Sequence, residues 1–418
     1  MRIFIKTYGC SLNHADSETI AGSLVQAGHT LADEPDADVV LYNTCTVKNP
    51  TQDAFLTTLK RQKKRVVIAG CLAQADKRGM FKDYSILGTE QLYRAAEAVE
   101  AAATGKTVQL LEMQRDPSRV QQPRIRTNPF VEIVPICAGC LSSCTYCKTK
   151  QARGNLYSYR PMDIQKRCEQ AIAEGVKELW LTSQDNGTYG MDIGTNCAEL
   201  LSRIASLDGD FMVRFGMTNP DWTKEWLEEL IVAFKQPKVY KFLHLPVQSG
   251  SDEVLKHMRR RCTAENIRRI VKRFREEIPD ITIATDIICG YPTETEEGFE
   301  KTIALVRELQ FPVINISKFY PRPDTPAAKL KQLPNGVVAR RTAQLNKVFT
   351  EEILPQTRKE LLGNTLRVLF TQRKGNTNIG KSNNYTQVLV DGEDLRGQQH
   401  EVTITEAGLY DVRGVLKE

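Results

Sequence analysis

Short apolar runs recur along the chain, each stopping at a small or polar residue. Ile3-Phe4-Ile5-Lys6-Thr7-Tyr8-Gly9, Val39-Val40-Leu41-Tyr42-Asn43-Thr44 and Val66-Val67-Ile68-Ala69-Gly70 have the pattern of strands buried in a parallel sheet. Stretches of helical character, 17–27 and 50–64, lie between them. This alternation predicts an open parallel α/β sheet. The rhythm stops between about residues 111 and 129. There, Arg115-Asp116-Pro117-Ser118-Arg119 and Gln121-Gln122-Pro123-Arg124 carry proline and charge without a period, which predicts a linker. It resumes with strands expected at 131–137, 178–182, 212–217, 242–247, 282–288 and 313–319, separated by amphipathic helices such as 224–234, 264–277 and 296–309. Six βα units predict a partial (β/α) barrel with its chemistry at the strand C-termini. From about Thr357 the pattern changes to strands at 366–370, 385–390 and 401–404, split by turns such as Lys374-Gly375-Asn376 and Asp391-Gly392. That predicts a small β-barrel of the size used to hold nucleic acid.

A length of 418 residues agrees with two or three such units. No apolar run is long enough to span a membrane, and the first residues lack the features of a signal peptide. The net charge of +6 permits a nucleic-acid partner without demanding one. The eleven cysteines change the picture more. In a chain of this length without an export signal, thiols face a reducing cytosol, where clustered cysteines point to metal or catalysis.

Cys10, Cys45 and Cys71 each follow one of the first three predicted strands. Ligands of open α/β sheets bind at those strand ends. Gly9 and Gly70 beside two of them allow backbone to approach a bulky group. A second trio, Cys140-Leu-Ser-Ser-Cys144-Thr-Tyr-Cys147, sits in a loop after a strand. Three thiolates at this spacing can ligate three irons of a 4Fe–4S cluster and leave the fourth open. An open iron can chelate the amino and carboxylate groups of S-adenosylmethionine, whose one-electron cleavage gives an adenosyl radical. Cys137 makes the same run read as two C-x-x-C pairs, which a zinc site could use, but zinc pairs are normally separated by a longer loop. Cys137 is expected to end the first barrel strand as a small buried residue, and Cys168, Cys197, Cys262 and Cys289 to be structural.

The loop Cys140 to Cys147 resembles that of radical S-adenosylmethionine enzymes. The two trios in this order, followed by a small β-barrel, resemble the methylthiotransferases. Within that family, Arg153-Gly154-Asn155-Leu156, Trp180-Leu181-Thr182-Ser183-Gln184-Asp185, Gly216-Met217-Thr218-Asn219-Pro220 and His244-Leu245-Pro246-Val247-Gln248-Ser249 resemble the archaeal and eukaryotic threonylcarbamoyladenosine tRNA methylthiotransferases. Thr285-Asp286-Ile287-Ile288-Cys289-Gly290 and Phe319-Tyr320-Pro321-Arg322-Pro323-Asp324-Thr325-Pro326-Ala327 belong to the same pattern. Departures are Cys137, where relatives usually have a small polar residue, and Thr293 and Asp324, where glycine is common. Eukaryotic relatives carry a hydrophobic tail; the chain stops at Glu418, and a soluble, cytoplasmic protein is expected.

The resemblance implies a cluster domain at 1–110, a linker at 111–129, a radical barrel at 130–356 and a TRAM domain at 357–418. It implies two 4Fe–4S clusters, one on Cys10, Cys45 and Cys71 and one on Cys140, Cys144 and Cys147, with S-adenosylmethionine as methyl donor and radical source. Tyr146, Ile288 and Gly290 are expected at the cofactor's adenine, Gln184 and Asp185 at its methionine part, and Gln248 and Ser249 at its ribose. Arg153 is the candidate for a substrate carboxylate. The substrate implied is N6-threonylcarbamoyladenosine next to the anticodon, at position 37 of tRNA, methylthiolated at C2. That ring C–H bond is no acid for a protein base, hence the radical. An anticodon stem-loop suits such an enzyme because single-stranded bases splay out cheaply. A reducing electron donor is also implied. Arg367, Arg373, Lys374 and Lys381 are expected to grip the RNA; the basic runs at 60–65 and 259–261 read as solvated helix faces or ends. The rival substrates are isopentenyladenosine in tRNA or a ribosomal-protein aspartate, and the rival class is a non-catalytic iron–sulfur or zinc RNA-binding protein.

Overall fold

The computed structural model describes residues 1–46, 49–409 and 411–417, with only the backbone at 49 and 50. The chain end at Glu418, on which the expectation of a missing tail rested, lies outside them. The first three predicted strands are Arg2–Thr7, Val39–Thr44 and Arg65–Gly70. They form the centre of a six-stranded parallel sheet whose outer strands, Thr30–Leu31, Ser85–Leu87 and Gln109–Leu110, are too short to announce themselves by pattern. Apolar side chains pack on both faces of this sheet. The first helix runs Ser11–Gln26, six residues earlier than expected. Its first turns bury Asn13, Asp16, Ser17 and Glu18, so a polar face points inward and no apolar stripe marks it.

The barrel strands are Val131–Pro135, Glu178–Thr182, Met212–Phe215, Phe242–His244, Thr282–Cys289 and Val313–Lys318. They pair in parallel as two three-stranded sheets, with a single bridge, Val213 to Val239, across the seam. Cys137 does not end the first barrel strand. That strand stops at Pro135, and Cys137 pairs with Ser158 in a short antiparallel ribbon, fully buried in the main core. The last segment is a closed barrel of Thr365–Lys374, Thr377–Ser382, Gln387–Asp391, Val412–Leu416 and Gln399–Ala407 around its own apolar core. Tyr385, expected in a strand, lies in the turn before one with φ at +65°.

Residues 111–129 are a strap rather than a loose linker. The charges that broke the pattern are buried partners. Arg119 bonds Asp16 at 2.5 Å and Glu90 at 3.2 Å, and Arg115 bonds Glu90 at 2.6 Å. Arg124 and Arg126 both bond Glu132 of the first barrel strand. The strap crosses the first helix at Gly22, where a Cβ would stand 2.3 Å from the Pro123 carbonyl oxygen. Ile125 N–H donates to the Glu18 carbonyl at 2.9 Å, so sheet and barrel are tied through one seam.

Candidate functional site

Each cysteine of the first trio follows a central strand. Gly9 holds φ at +115°, and a Cβ there would meet the Cys45 Cβ at 2.7 Å, so only glycine lets the first and second cysteine loops approach. Gly70, at φ +87°, lies against Asn43 and Thr44 of the neighbouring strand, so Cys71 can turn at once into a short helix. Asn13 ties this end together: its Nδ2 donates to the Tyr8 and Thr44 carbonyls, and its Oδ1 stands 3.7 Å from the Cys71 sulfur and 4.0 Å from the Cys10 sulfur. Arg153 is fully buried here. Its Nε stands 3.2 Å from the Cys71 sulfur, and an Nη reaches Asn13 at 3.1 Å and Asp16 at 2.5 Å. One Nη thus already has a protein carboxylate, while the other is buried with no acceptor among the described residues, and Arg153 lines the cavity shared by the thiols. Asp16 in turn holds Arg119, so one buried carboxylate anchors the strap and the Arg153 that bonds Cys71.

The second trio lies on a loop shaped by Gly139. With φ at +73°, Gly139 packs so closely on Asn155 that a Cβ would fall 1.9 Å from its carbonyl oxygen. Lys150 donates to the Cys140 carbonyl, and Ser142 N–H points at the Cys140 sulfur at 3.3 Å. Thr145 fixes the middle of the loop through Tyr291 at 2.7 Å and the His257 carbonyl at 3.0 Å. Burial pushes the Cys71 and Cys140 thiols up to about 12; the Arg153 charge opposes this at Cys71. All eleven cysteines are free thiols.

The two trios, more than 60 residues apart in sequence, line one cavity of about 710 Å³. Ser11 Oγ and Thr182 Oγ1 meet at 2.9 Å, and Arg322 donates to Thr46 at 3.0 Å, bringing sheet edge and barrel mouth together. Tyr146, Gln184, Asp185 and Gln248 line the same space. Two buried acceptors there lack any donor, Gln184 Oε1 and Asp185 Oδ2. Asp185 Oδ1 accepts from the backbone of Gly187 and Asn219, while burial raises the acid to about 7. A second cavity of about 380 Å³ is lined by Tyr146, Cys147, Gln248 and Ile288. Gln248 enters both with φ at +73°, a strained backbone for a non-glycine residue.

Other expected residues fall elsewhere. The Ser249 hydroxyl turns inward, accepting from Ser251 N–H and facing Thr302 at 3.3 Å. Gly290, at φ +81°, packs against Val338 and donates to Glu294, away from the Tyr146 cavity. Lys381, expected on the RNA face, instead lines the main cavity, where burial lowers it to about 8. Arg373 is tied to the Gly375 and Gly392 carbonyls, and Arg367 and Lys374 are exposed. Asp324 has φ at +63°, which explains why glycine suits that position. Asn13, Arg214, Asn219 and Arg260 line the cavity although no motif singled them out for a role. The run 259–261 concealed Arg260. It turns inward to the Pro246 carbonyl at 2.7 Å, and its charge is felt at Cys144, while Arg261 stacks on Trp222 at 4.9 Å.

Among the described residues, no three of His, Cys, Asp or Glu are grouped as ligands of a single metal ion. Cys71 feels the charges of Cys10 and Cys45, and Cys140 those of Cys144 and Cys147, so each trio fits a cluster whose irons take one thiolate each. The orphaned acceptors of Gln184 and Asp185 fit a ligand that brings N–H donors, as the amino-acid end of S-adenosylmethionine does.

Comparisons with known proteins agree. The profile of the Radical SAM superfamily matches residues 134–306, and that of "Uncharacterized protein family UPF0004" matches residues 2–88. The fold resembles that of the radical S-adenosylmethionine methyltransferase TsrM from Kitasatospora setae, with a TM-score of 0.56 over 78% of this chain and 75% of that one, at 15% identity. Fold and site together define a radical S-adenosylmethionine enzyme, whose cofactors are S-adenosylmethionine and a 4Fe–4S cluster. The "Threonylcarbamoyladenosine tRNA methylthiotransferase" of Homo sapiens is 43% identical over 99% of this chain and 73% of its own length. The "Probable threonylcarbamoyladenosine tRNA methylthiotransferase" of Pyrococcus horikoshii is 38% identical over 97% of both. The chain belongs to the threonylcarbamoyladenosine tRNA methylthiotransferase family. Among the described residues, no helix is long and apolar enough to cross a membrane.

Proposed function

We propose that this enzyme converts N6-threonylcarbamoyladenosine, next to the anticodon of tRNA, into its 2-methylthio derivative, using two 4Fe–4S clusters. The observation that carries this reading is the opening of both cysteine trios onto one cavity. Methylthio transfer needs a sulfur site and a radical source within reach of one base, and a shared cavity supplies that proximity. Cys10, Cys45 and Cys71 would hold the auxiliary cluster, with Arg153 compensating negative charge at Cys71. Cys140, Cys144 and Cys147 would hold the radical cluster. When bound, that cluster and S-adenosylmethionine supply an adenosyl radical, and a second S-adenosylmethionine supplies the methyl group.

The protein's share is to bind, orient and exclude water. Gln184 Oε1 and Asp185 Oδ2 would accept from the cofactor's amino group. Tyr146 and Ile288 would enclose the adenine, with Gln248 at the ribose. Ser249 and Gly290 would shape these loops from behind. Arg367, Arg373 and Lys374 would meet RNA phosphates. The matching division is a cluster domain to residue 110, the strap at 111–129, the radical barrel at 130–356 and the TRAM barrel from 357. An anticodon stem-loop as the bound element, a reducing electron donor and a cytoplasmic location belong to the same reading.

Anaerobic iron analysis and nucleoside mass spectrometry test it. The reconstituted enzyme should hold two clusters, and each triple Cys→Ala variant one; Cys137→Ser should lose none. tRNA carrying the threonylcarbamoyl group should be methylthiolated far faster than tRNA with bare adenosine. One cluster in the parent, or equal rates on both tRNAs, would defeat the proposal.

A further inference from the structure

The main cavity extends from the thiols to a cationic, aromatic corner between the barrel mouth and the C-terminal barrel. Arg214, on the third barrel strand, lies against three rings: Trp180 at 5.6 Å, Phe242 at 5.7 Å and Tyr385 at 5.4 Å. Among the described residues, its guanidinium makes no hydrogen bond or ion pair, and its Nε is buried with no acceptor. Lys381 Nζ stands 5.0 Å over the Tyr385 ring, and among the described residues its one hydrogen bond is a 3.2 Å contact to Gln387 Oε1. Of the carboxylates felt at Lys381, Glu178 is occupied by Trp180 Nε1 at 2.7 Å and the Tyr240 hydroxyl at 2.8 Å, and Asp411 does not line the cavity. The other acids lining the cavity are Asp185, held by two backbone N–H groups, and Asp286, held by His244 at 3.2 Å and Asn315 at 2.7 Å.

A buried guanidinium edge with no acceptor is costly unless a ligand supplies one. The three surrounding rings restrict its movement, which suits a guanidinium that is to receive a two-oxygen anion. The corner is also built at some expense, since Tyr385 keeps a left-handed backbone to reach it. Resting on the function proposed above, we infer that Arg214, assisted by Lys381, receives the free carboxylate of the threonylcarbamoyl group. The same corner would then disfavour a base with an uncharged N6 substituent, because the buried Nε of the half-buried Arg214 would stay without an acceptor. A tRNA phosphate is the other anion that could enter, and the test separates the two.

The parent, Arg214→Gln and Arg214→Lys are compared on two synthetic anticodon stem–loops. One carries the threonylcarbamoyl acid and the other its threoninamide, which removes the charge and turns one acceptor oxygen into an NH2 donor at nearly the same size. For the parent, kcat/KM should favour the acid by roughly tenfold to a hundredfold, the range of a charge-assisted pair. Arg214→Gln should bring that ratio near one, and Arg214→Lys should leave a reduced preference. The ratio is internal to each variant, so partial misfolding does not mimic the result. If Arg214→Gln does not fold, the lysine variant and Lys381→Met read the same ratio. A glutamine variant that loses equally on both substrates would assign Arg214 to a phosphate or to packing and overturn the inference. So would a parent indifferent to the charge. A parent that methylthiolates neither stem–loop would instead overturn the function on which the inference rests.

Discussion

Lys381 shows how a side chain can sit in the right segment and face another way. The family resemblance implied an RNA contact for it, yet it points into the main cavity beside Tyr385 and Gln387. Burial lowers it from 10.5 to about 8, with Glu178 opposing the shift. Between those two pH values the unfolded chain holds a proton that the folded one has released. Stability therefore rises with pH across that window, and the penalty is fully present below it. In Lys381→Met the penalty is gone. The variant's stability relative to the parent should be greatest near pH 7 and shrink by pH 9.5, as read from urea unfolding midpoints. The same difference at both pH values would mean that Lys381 is solvated. Arg153 carries a related lesson. Its sequence context marked it as important, but the Asp16 carboxylate, 137 positions before it in the chain, and the Cys71 sulfur position it.

At the scale of elements, the loop from Gly139 to Cys147 is the most tightly specified. Two demands meet at Gly139: a φ of +73° and a backbone approach to Asn155 that leaves no room for a methyl group. Gly139→Ala should displace the loop and reduce bound iron to the level of the Cys140/Cys144/Cys147 triple variant, while the auxiliary site stays loaded. Full iron content in the alanine variant would show that the loop tolerates the shift. The long parallel strands were legible because apolar runs in a two-sided sheet have few alternatives. The first helix was only partly legible, because it buries Asn13, Asp16 and Ser17 toward the site. Residues 111–129 were misleading for the same reason: polar and proline-rich sequence normally means solvent, but here its arginines are buried against Asp16, Glu90 and Glu132.

For the whole molecule, the closed C-terminal barrel is part of the cavity as well as a candidate RNA grip. Thr371, Gln372, Ile379, Gly380 and Gln387 line the space shared by the thiols. Tyr385 packs at 4.9 Å on Tyr240 and 4.8 Å on Phe242, and Lys241 N–H donates to the Asn383 carbonyl at 2.8 Å. Removing residues from Thr357 onward should therefore do more than weaken tRNA binding and flatten its salt dependence. It should also uncover the Tyr240 and Phe242 rings and lower the melting temperature of what remains. Calorimetry together with a salt titration of tRNA binding checks both parts. An unchanged melting temperature would mean that the barrel is an independent appendage.

Sequence by itself determined the order of the units, the six candidate cluster thiols and the family, because these rest on local periodicity and on spacing within short loops. The glycines beside Cys10 and Cys71 were readable too, since close backbone approach has few other solutions. What tertiary structure decided is which charges meet. That Cys10, Cys45 and Cys71 open onto the same cavity as Cys140, Cys144 and Cys147 depends on how a sheet edge packs on a barrel mouth. That Arg153 meets the Asp16 carboxylate while Arg214, among the described residues, meets none depends on carboxylates distant in sequence, whose positions only the folded chain fixes.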